Sequence, residues 1–556
     1  MTLAPSDTAE LRKARGAFFT PEPLARYITE WAVRSVGDQI LEPSCGEAAF
    51  LLSAVQRLSH LSAENPGAGA PHLDGVELHE DSAQAARDLL RAAGVEARIA
   101  AGDFFSVEPT ASYDAVIGNP PYVRYQDFSG ESRARSREAA LRAGVPLTGL
   151  ASSWAAFTVH SSLFLRKGGR LGMVLPAELL TVNYAAEVRR FLMQRFARVD
   201  LVLFEERVFP EAEVEVVLLM ADGYETGSTD HCRVYQARNA EGLADIVVAR
   251  LWKPESPESK WTGSLLSSET QAAYAELRAS EHFTGLETWG DTTLGMVTGN
   301  NRYFTLSPLR VRELGLSTSD VIRLSPPGSR HLRGLSFTES AWAELGQQGS
   351  ATYLFRPAGE PSKAALDLIA AGEKSGVHEA YKCRVRKPWW RVPLVKPADL
   401  LLTYMNADTP RLTTNRTKAH HLNSVHGLYL RPDFKALGMD MLPIASLNSM
   451  TLLGAEQVGR AYGGGMLKIE PREADRLPVP SKELIEAARK PLTNLRPQMA
   501  SHLRSGRLLE AVQLVDMALL VGELGMKRAD VKALREGHAQ MVARRKARGG
   551  EPRGTN

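Results

Sequence analysis

The sequence predicts an α/β protein. Its first part is a mostly parallel, seven-stranded sheet with helices on both faces and an antiparallel edge hairpin. A mixed α+β region with a helical end follows. Three observations predict this. Strand-sized apolar runs alternate with helix-period segments through the first 220 residues. A turn of small residues closes the first strand and opens a helix, as in open parallel sheets. Past about residue 240 the rhythm breaks and the charge changes sign.

The elements run in order. Residues 39–41 are a strand entering the turn Pro43-Ser44-Cys45-Gly46, and residues 49–58 continue as a helix. Residues 72–78 are the second strand, 81–93 a helix and 96–101 the third strand. The apolar run Tyr113–Gly118 is the fourth strand, stopped by Asn119-Pro120-Pro121 because proline has no N–H for a ladder. The polar stretch holding Arg124 and residues 133–137 lacks clear periodicity and reads as a mobile loop. A helix over 153–165 leads to a strand at 170–174, a helix over 187–196 and a hairpin of strands at 199–204 and 214–219. Pro, Gly and Ser then become frequent around 253–268 and 324–335. From 482 to 547 apolar residues recur at three- and four-residue spacing, which is helical. The expected regions are 1–240, 241–480 and 481–556.

Composition narrows the class. At 556 residues and 44% hydrophobic, the chain has material for two to four cored domains and is no disordered polymer. Lys+Arg is 67 against Asp+Glu 64, so a net charge of +3 excludes a polycation. The distribution is uneven: 24 basic and 31 acidic residues through 240 give −7, and 43 and 33 after it give +10, which sums to +3. Residues 301–450 hold 20 basic against 12 acidic, with aromatics interleaved, a pattern that suits a polyanion unless it is chance variation on solvated faces. Cys45, Cys232 and Cys383 lie too far apart for a disulfide framework or a four-cysteine zinc site and point to a reducing compartment. The N-terminal segment has no apolar signal core and no apolar run reaches 18 residues, so a soluble cytoplasmic protein is expected.

Four constellations carry chemistry. The turn of Leu41-Glu42-Pro43-Ser44-Cys45-Gly46 lets a ligand approach the backbone, although it matches neither a phosphate loop nor a dinucleotide fingerprint. Read alone it is either a generic turn or a ligand turn. Glu77 and Leu78 close the second strand, where doubly wound folds hold ribose hydroxyls; the other reading is a helix start. Asp103 and Phe104 follow the third strand, where a carboxylate can accept from an exocyclic amine and a ring can lie on a purine. Asn119-Pro120-Pro121-Tyr122 is the most specific. Its prolines delete backbone donors and leave carbonyls as acceptors. The Asn119 oxygen and the Pro120 carbonyl can together accept both hydrogens of a planar amine, with Tyr122 as a flat stacking face.

In their order these segments resemble the gamma-class DNA adenine-N6 methyltransferases of restriction–modification systems. Gly16-Ala17-Phe18-Phe19-Thr20-Pro21, LEPSCGEAAF, GVELHED, GDFF and NPPYVRY look like motifs X, I, II, III and IV. GGRLGMVLP and Val208-Phe209-Pro210 with the strand after it look like motifs VI and VIII, and residues 460–480 like the end of the recognition region. The resemblance implies a Rossmann-like S-adenosylmethionine-dependent methyltransferase domain and a C-terminal target-recognition domain. It implies S-adenosylmethionine as cofactor, with Phe18, Thr20, Glu42, Ser44 and Gly46 bordering the methionine part. Glu77 and Leu78 would take the ribose and adenine, and Asp103 and Phe104 the cofactor adenine. Asn119, Pro120, Pro121 and Tyr122 would hold the target adenine, with Phe209 on its other face. Asn119 favours adenine over cytosine-N4 chemistry, and Cys45 in the cofactor turn is unsuited to covalent attack on cytosine.

The implied partner is double-stranded DNA. Expected DNA-binding residues are Arg302, Lys382, Arg384, Arg386, Lys387 and Arg391, with Asn415, Arg416 and Lys418 as a further patch. The Arg-rich loop after the fourth motif would order on DNA. A cognate endonuclease is expected on a separate chain, no metal is expected, and a monomer in a bacterial or archaeal cytoplasm is the implied state. Methylation of RNA or of a protein glutamine is disfavoured by the large basic second half. A noncatalytic DNA-binding subunit is disfavoured by the intact first and fourth motifs.

Overall fold

The computed structural model describes residues 20–64, 72–123, 127, 130–206, 208–209, 215–246 and 248–548. They fall into two compact units that divide between Leu265 and Leu266.

The first unit opens with α1 (Glu22–Ala32), which buries Leu24, Ala25, Ile28, Thr29 and Ala32 on one face. Then come β1 (Gln39–Glu42), α2 (Ala49–Glu64), β2 (His72–Glu77), α3 (Glu80–Ala92), β3 (Arg98–Ala101) and β4 (Tyr113–Gly118). They are followed by α4 (Gly130–Arg142), α5 (Ser153–Ser162), β5 (Leu165–Pro176), α6 (Ala186–Arg195), β6 (Phe196–Phe204) and β7 (Val216–Tyr224). Two further strands, β8 (Cys232–Ala237) and β9 (Arg250–Trp252), complete a nine-stranded sheet of order β3-β2-β1-β4-β5-β7-β6-β8-β9.

Strands β3, β2, β1, β4 and β5 are parallel, and β7 runs antiparallel to both β5 and β6. The β6–β7 hairpin read from the sequence therefore exists, but it lies inside the sheet. β8 pairs in parallel with β6, and β9 closes on β8. Their short, half-buried patterns give little sequence signal, yet they cover an edge that β6 would otherwise leave open. Because β8 and β9 belong to this sheet, the first unit runs on to Leu265 rather than ending near 240.

Two further readings change. Of the stretch read as a mobile loop, Arg124 lies outside the described residues, and residues 133–137 lie in helix α4, with Ser136, Ala139 and Ala140 buried. Its helical support is electrostatic: Arg135 pairs with Glu131 and Arg142 with Glu138, both four residues apart, and apolar periodicity does not register such pairs. Helix α5 is buried over all ten residues, its Ser, Thr and His residues included, so it has no solvent-exposed face. Each fully buried Leu or Ile of the core, such as Ile40, Leu51, Ile117 and Leu218, contributes about 1.5–3 kcal/mol.

The second unit is built on a five-stranded sheet. Its strands are β10 (Gly290–Leu294), β11 (Ser336–Phe337), β12 (Leu400–Thr403), β13 (Leu412–Asn415) and β14 (Val425–Leu430), in the order β10-β14-β12-β13-β11. All pairs are antiparallel except β11 with β13. The helical end is not one run. It holds α8 (Arg489–Arg504), α9 (Leu508–Asp516) and α10 (Arg528–Arg548), interrupted where Gly506 and Gly525 take φ of 70° and 67°. Asp516 anchors it: its buried carboxylate accepts from the Ser449 N–H and hydroxyl, both at 2.7 Å, and from Arg535 Nε at 2.9 Å. Since Ser449 starts α7 (Ser449–Val458), residues beyond 481 are integral to the second unit. Among the described residues, no helix is long and apolar enough to cross a membrane.

Candidate active site and nucleic-acid interface

The parallel strands deliver four polar residues to one edge of the first sheet: Glu42 from β1, Glu77 from β2, Asp103 just past β3 and Asn119 just past β4. This is the carboxyl edge, where such sheets bind ligands.

The turn after β1 is tightly determined. Gly46 sits at φ 47° and the buried Ala48 at φ 62°, a left-handed conformation that costs a residue with a Cβ about 1–2 kcal/mol. Cys45 N–H bonds Val76 O at 3.0 Å, tying the turn to β2. Gly46 N–H then donates to Glu77 Oε2 at 2.9 Å, and His79 N–H to Glu77 Oε1 at 3.0 Å. Ser44 and Gly46 are half-buried at this turn. Glu42 lies underneath, accepting from Leu51 N–H at 3.1 Å at the start of α2. Burial, with Glu77 nearby, pushes the Glu42 carboxyl well above the usual carboxylate range. Burial also pushes the Cys45 thiol up, so it stays protonated and is no nucleophile.

Beside this turn two groups are left for a ligand. Leu78 is 63% exposed, although it is a large apolar residue next to Glu77. Asp103 Oδ1 accepts from Phe105 N–H at 3.0 Å, while its Oδ2 is buried without a hydrogen bond among the described residues, 3.7 Å from Arg135 Nε of α4. The Phe104 ring is placed differently from expectation. It is buried against Phe157, His160 and Phe164, at centroid distances of 5.3, 4.8 and 5.0 Å, so it forms core and not an open face.

The Asn119–Tyr122 turn is held from three directions. Asn119 Nδ2 donates to Thr20 Oγ1 at 3.2 Å, so Thr20 orients this amide. Tyr122 hydroxyl lies 2.7 Å from Asn119 Oδ1 and 2.9 Å from Val174 O on β5. Burial pushes the Tyr122 phenol well above its ordinary value, so it remains a donor. Ser153, first residue of α5, bonds Pro121 O and Val123 through its hydroxyl. Phe209 lies inside the core cluster that Tyr122 also packs against, rather than on an open face. Phe18 lies outside the described residues. Sequence reasoning missed Ser153, Arg135 and the Thr20–Asn119 bond, because each joins segments far apart in the chain.

In the second unit the basic residues divide. Lys382, Arg384 and Lys387 are exposed, and among the described residues no ion pair engages them. Arg302, Arg416 and Lys418 are exposed too. Arg391 is exposed over the Trp390 ring and bonds Gly359 O at 3.2 Å. Arg386 instead braces a loop, bonding the carbonyls of Thr298 and Val297. Asn415 is corrected most clearly: its buried amide donates to Ala398 O and Ala419 O and accepts from Thr417 and Ala419. On β13 its side chain points inward, while Arg416 and Lys418 point out. The glycines 463–465 make a tight turn in which Gly465 lies against Lys546 of α10.

Two family models match the chain in succession. Residues 6–251 match the family model described as N-6 DNA Methylase, and residues 258–520 match that of the Type II methyltransferase M.Eco57I, C-terminal domain. The chain is 27% identical over 490 residues to the Type II methyltransferase M.XamI of Xanthomonas campestris pv. amaranthicola, covering 85% of this chain and 86% of that one. It is 22% identical over 483 residues to the Type II methyltransferase M.AccI of Acinetobacter calcoaceticus, covering 85% and 86%. The fold is shared with the Type IIL restriction-modification enzyme MmeI, solved in complex with DNA, at a TM-score of 0.57 and 12% identity over 96% of this chain and 80% of that one.

Proposed function

Since the chain belongs to the gamma-class adenine-N6 DNA methyltransferases, we propose that it methylates N6 of one adenine within a specific double-stranded DNA sequence, protecting that DNA from a cognate endonuclease on a separate chain. The observation that carries this reading is the Asn119-Pro120-Pro121-Tyr122 turn at the carboxyl edge, braced by Thr20, with the one Tyr122 hydroxyl hydrogen shared between Asn119 Oδ1 and Val174 O. S-adenosylmethionine is the cofactor. The donor set fits it: Asp103 Oδ2 is a buried acceptor without a hydrogen bond among the described residues, Leu78 is an exposed apolar face, and Glu77, its neighbour in the chain, presents two carboxylate oxygens. Asp103 would accept from its adenine amine, Leu78 would lie on that ring, and Glu77 would take the ribose hydroxyls. When bound, the cofactor supplies an electrophilic methyl group on a sulfonium.

The chain's residues then do the rest. The target amine is buried in a base pair, so the adenine must leave the stack. Tyr122 offsets part of that cost, at about 1–3 kcal/mol for a base–aromatic stack. Asn119 Oδ1 spends one lone pair on the Tyr122 hydroxyl and keeps the other for an N6 hydrogen. The Pro120 carbonyl accepts the second hydrogen. Together they concentrate the nitrogen lone pair along the line of attack, so catalysis is positioning and polarisation. The exposed cations of the second unit would hold phosphates, working as a monomer.

The test is single-molecule sequencing of DNA from a methylation-free host that expresses this chain alone. N6-methyladenine at one defined sequence is expected. Unmodified DNA together with labelled methyl groups in RNA or protein would overturn the reading.

A further inference from the structure

We propose that Ser153 is a positioning residue for methyl transfer, its hydroxyl bracing the Asn119–Tyr122 turn, in which the two prolines supply no backbone donors. This rests on the reading of that turn as the holder of the target amine.

Pro120 and Pro121 have no N–H, so the turn cannot brace itself through two consecutive amides. Its brace comes from α5. Ser153 Oγ donates to Pro121 O and accepts from Val123 N–H at 2.9 Å, and Ser153 N–H donates to Val123 O at 3.0 Å. One residue therefore clamps both sides of Tyr122. Only a group that donates and accepts at once can do this, and among small side chains that means a hydroxyl.

The hydroxyl is not spent on its own helix. The N-cap of α5 is Ser152, whose side chain makes no cap bond, and Ser153 points its oxygen out to the turn. The platform is firm, since every residue of α5 is buried. On the near side of the turn β4 ends at Gly118, and on the far side Ser153 holds Pro121, so the Pro120 carbonyl is fixed between two anchors. Ser153 touches neither the amine nor the cofactor in this reading; it sets where the Pro120 carbonyl and Asn119 point. A shift of about 1 Å in such a group costs on the order of 100-fold in rate.

The test compares Ser153→Ala and Ser153→Thr with the wild-type enzyme on duplex DNA. Single-turnover methyl transfer in Ser153→Ala should fall about 10- to 100-fold. Its Kd for S-adenosylmethionine and its Kd for DNA should stay near wild type while its Tm falls modestly, because Pro121 O and Val123 N–H lose their partner, and Ser153→Thr, which keeps the hydroxyl, should recover most of the rate. Hydrogen exchange at the Val123 amide, which needs no substrate, should accelerate in Ser153→Ala alone. Unchanged exchange overturns the clamp. Faster exchange with an unchanged rate overturns the positioning role. So does a variant that fails to fold, or that loses cofactor affinity in step with rate, since the residue is then only structural. A wild-type enzyme that leaves DNA unmethylated overturns the reading of the turn, while the exchange measurement still decides the clamp.

Discussion

The Tyr122 hydroxyl lies 2.7 Å from Asn119 Oδ1, so the ring proposed as a stacking face also meets the amide proposed as an acceptor. The two roles separate by mutation. Tyr122→Phe keeps the ring and loses one hydrogen bond, worth about 0.5–1.5 kcal/mol, so kcat should fall roughly threefold to tenfold. Tyr122→Ala loses the stack too and should fall further, with weaker flipping of a fluorescent target base. Asn119→Ala should abolish turnover while cofactor affinity stays within about twofold of wild type. Near wild-type methylation by Asn119→Ala would falsify the assignment.

Glu77 joins the cofactor side to the small-residue turn. Its carboxylate holds the amides of Gly46 and His79, so Glu77→Ala strands two donors as well as losing the proposed ribose acceptors. The Kd for S-adenosylmethionine, measured by calorimetry, should rise at least about tenfold, which corresponds to about 1.4 kcal/mol. Glu77→Gln keeps one acceptor and should be milder. Equal affinities for all three proteins would remove Glu77 from the site.

Acid should weaken the second unit through its buried histidines. Burial pushes His421 and His538 down to about 4; His420 and His426 add to this at His421, and Arg545 at His538. Both stay neutral in the folded state while the unfolded chain takes up protons below its ordinary value near 6.5. Their contribution is complete above that value and is lost as pH falls toward 4. At pH 5.5 the loss is about 1.4 kcal/mol per histidine. Thermal melts from pH 7.5 to 5.5 should show Tm falling, with a shallower slope in His421→Gln. An identical slope in that variant would count against the linkage.

The exposed and buried members of the basic half should respond in opposite ways. Replacing Lys382, Arg384 and Lys387 together by Ala should weaken binding to all DNA sequences alike. The slope of log K against log salt should shrink by about one for each phosphate that these cations neutralise in the native protein. Asn415→Ala should instead strand the carbonyls of Ala398 and Ala419, costing about 1–3 kcal/mol of stability in denaturant titrations. A DNA-binding defect in fully folded Asn415→Ala would reverse this division.

Much of the candidate site was legible because the pattern that places its residues is local. Glu42, Glu77, Asp103 and Asn119 each stand at the end of an apolar strand, and a parallel sheet brings such ends to one edge whatever the loops do. Phe104 and Phe209 were read as open faces because a sequence shows a ring but not what surrounds it. Helix α4 escaped notice because its Arg–Glu pairs carry no apolar period.

Neighbouring residues alone dictate the strand–turn–helix order, the acceptors at each strand end and the deletion of two backbone donors by Pro120-Pro121, so all three can be read along the chain. That Thr20 orients Asn119, that Ser153 braces the turn, and that Asn415 faces inward while Arg416 faces out emerge only once the chain is folded. Those outcomes depend on which distant segments meet. A hydrogen bond across 99 residues, such as that from Asn119 to Thr20, is set by sheet topology and burial and leaves no mark on the local pattern.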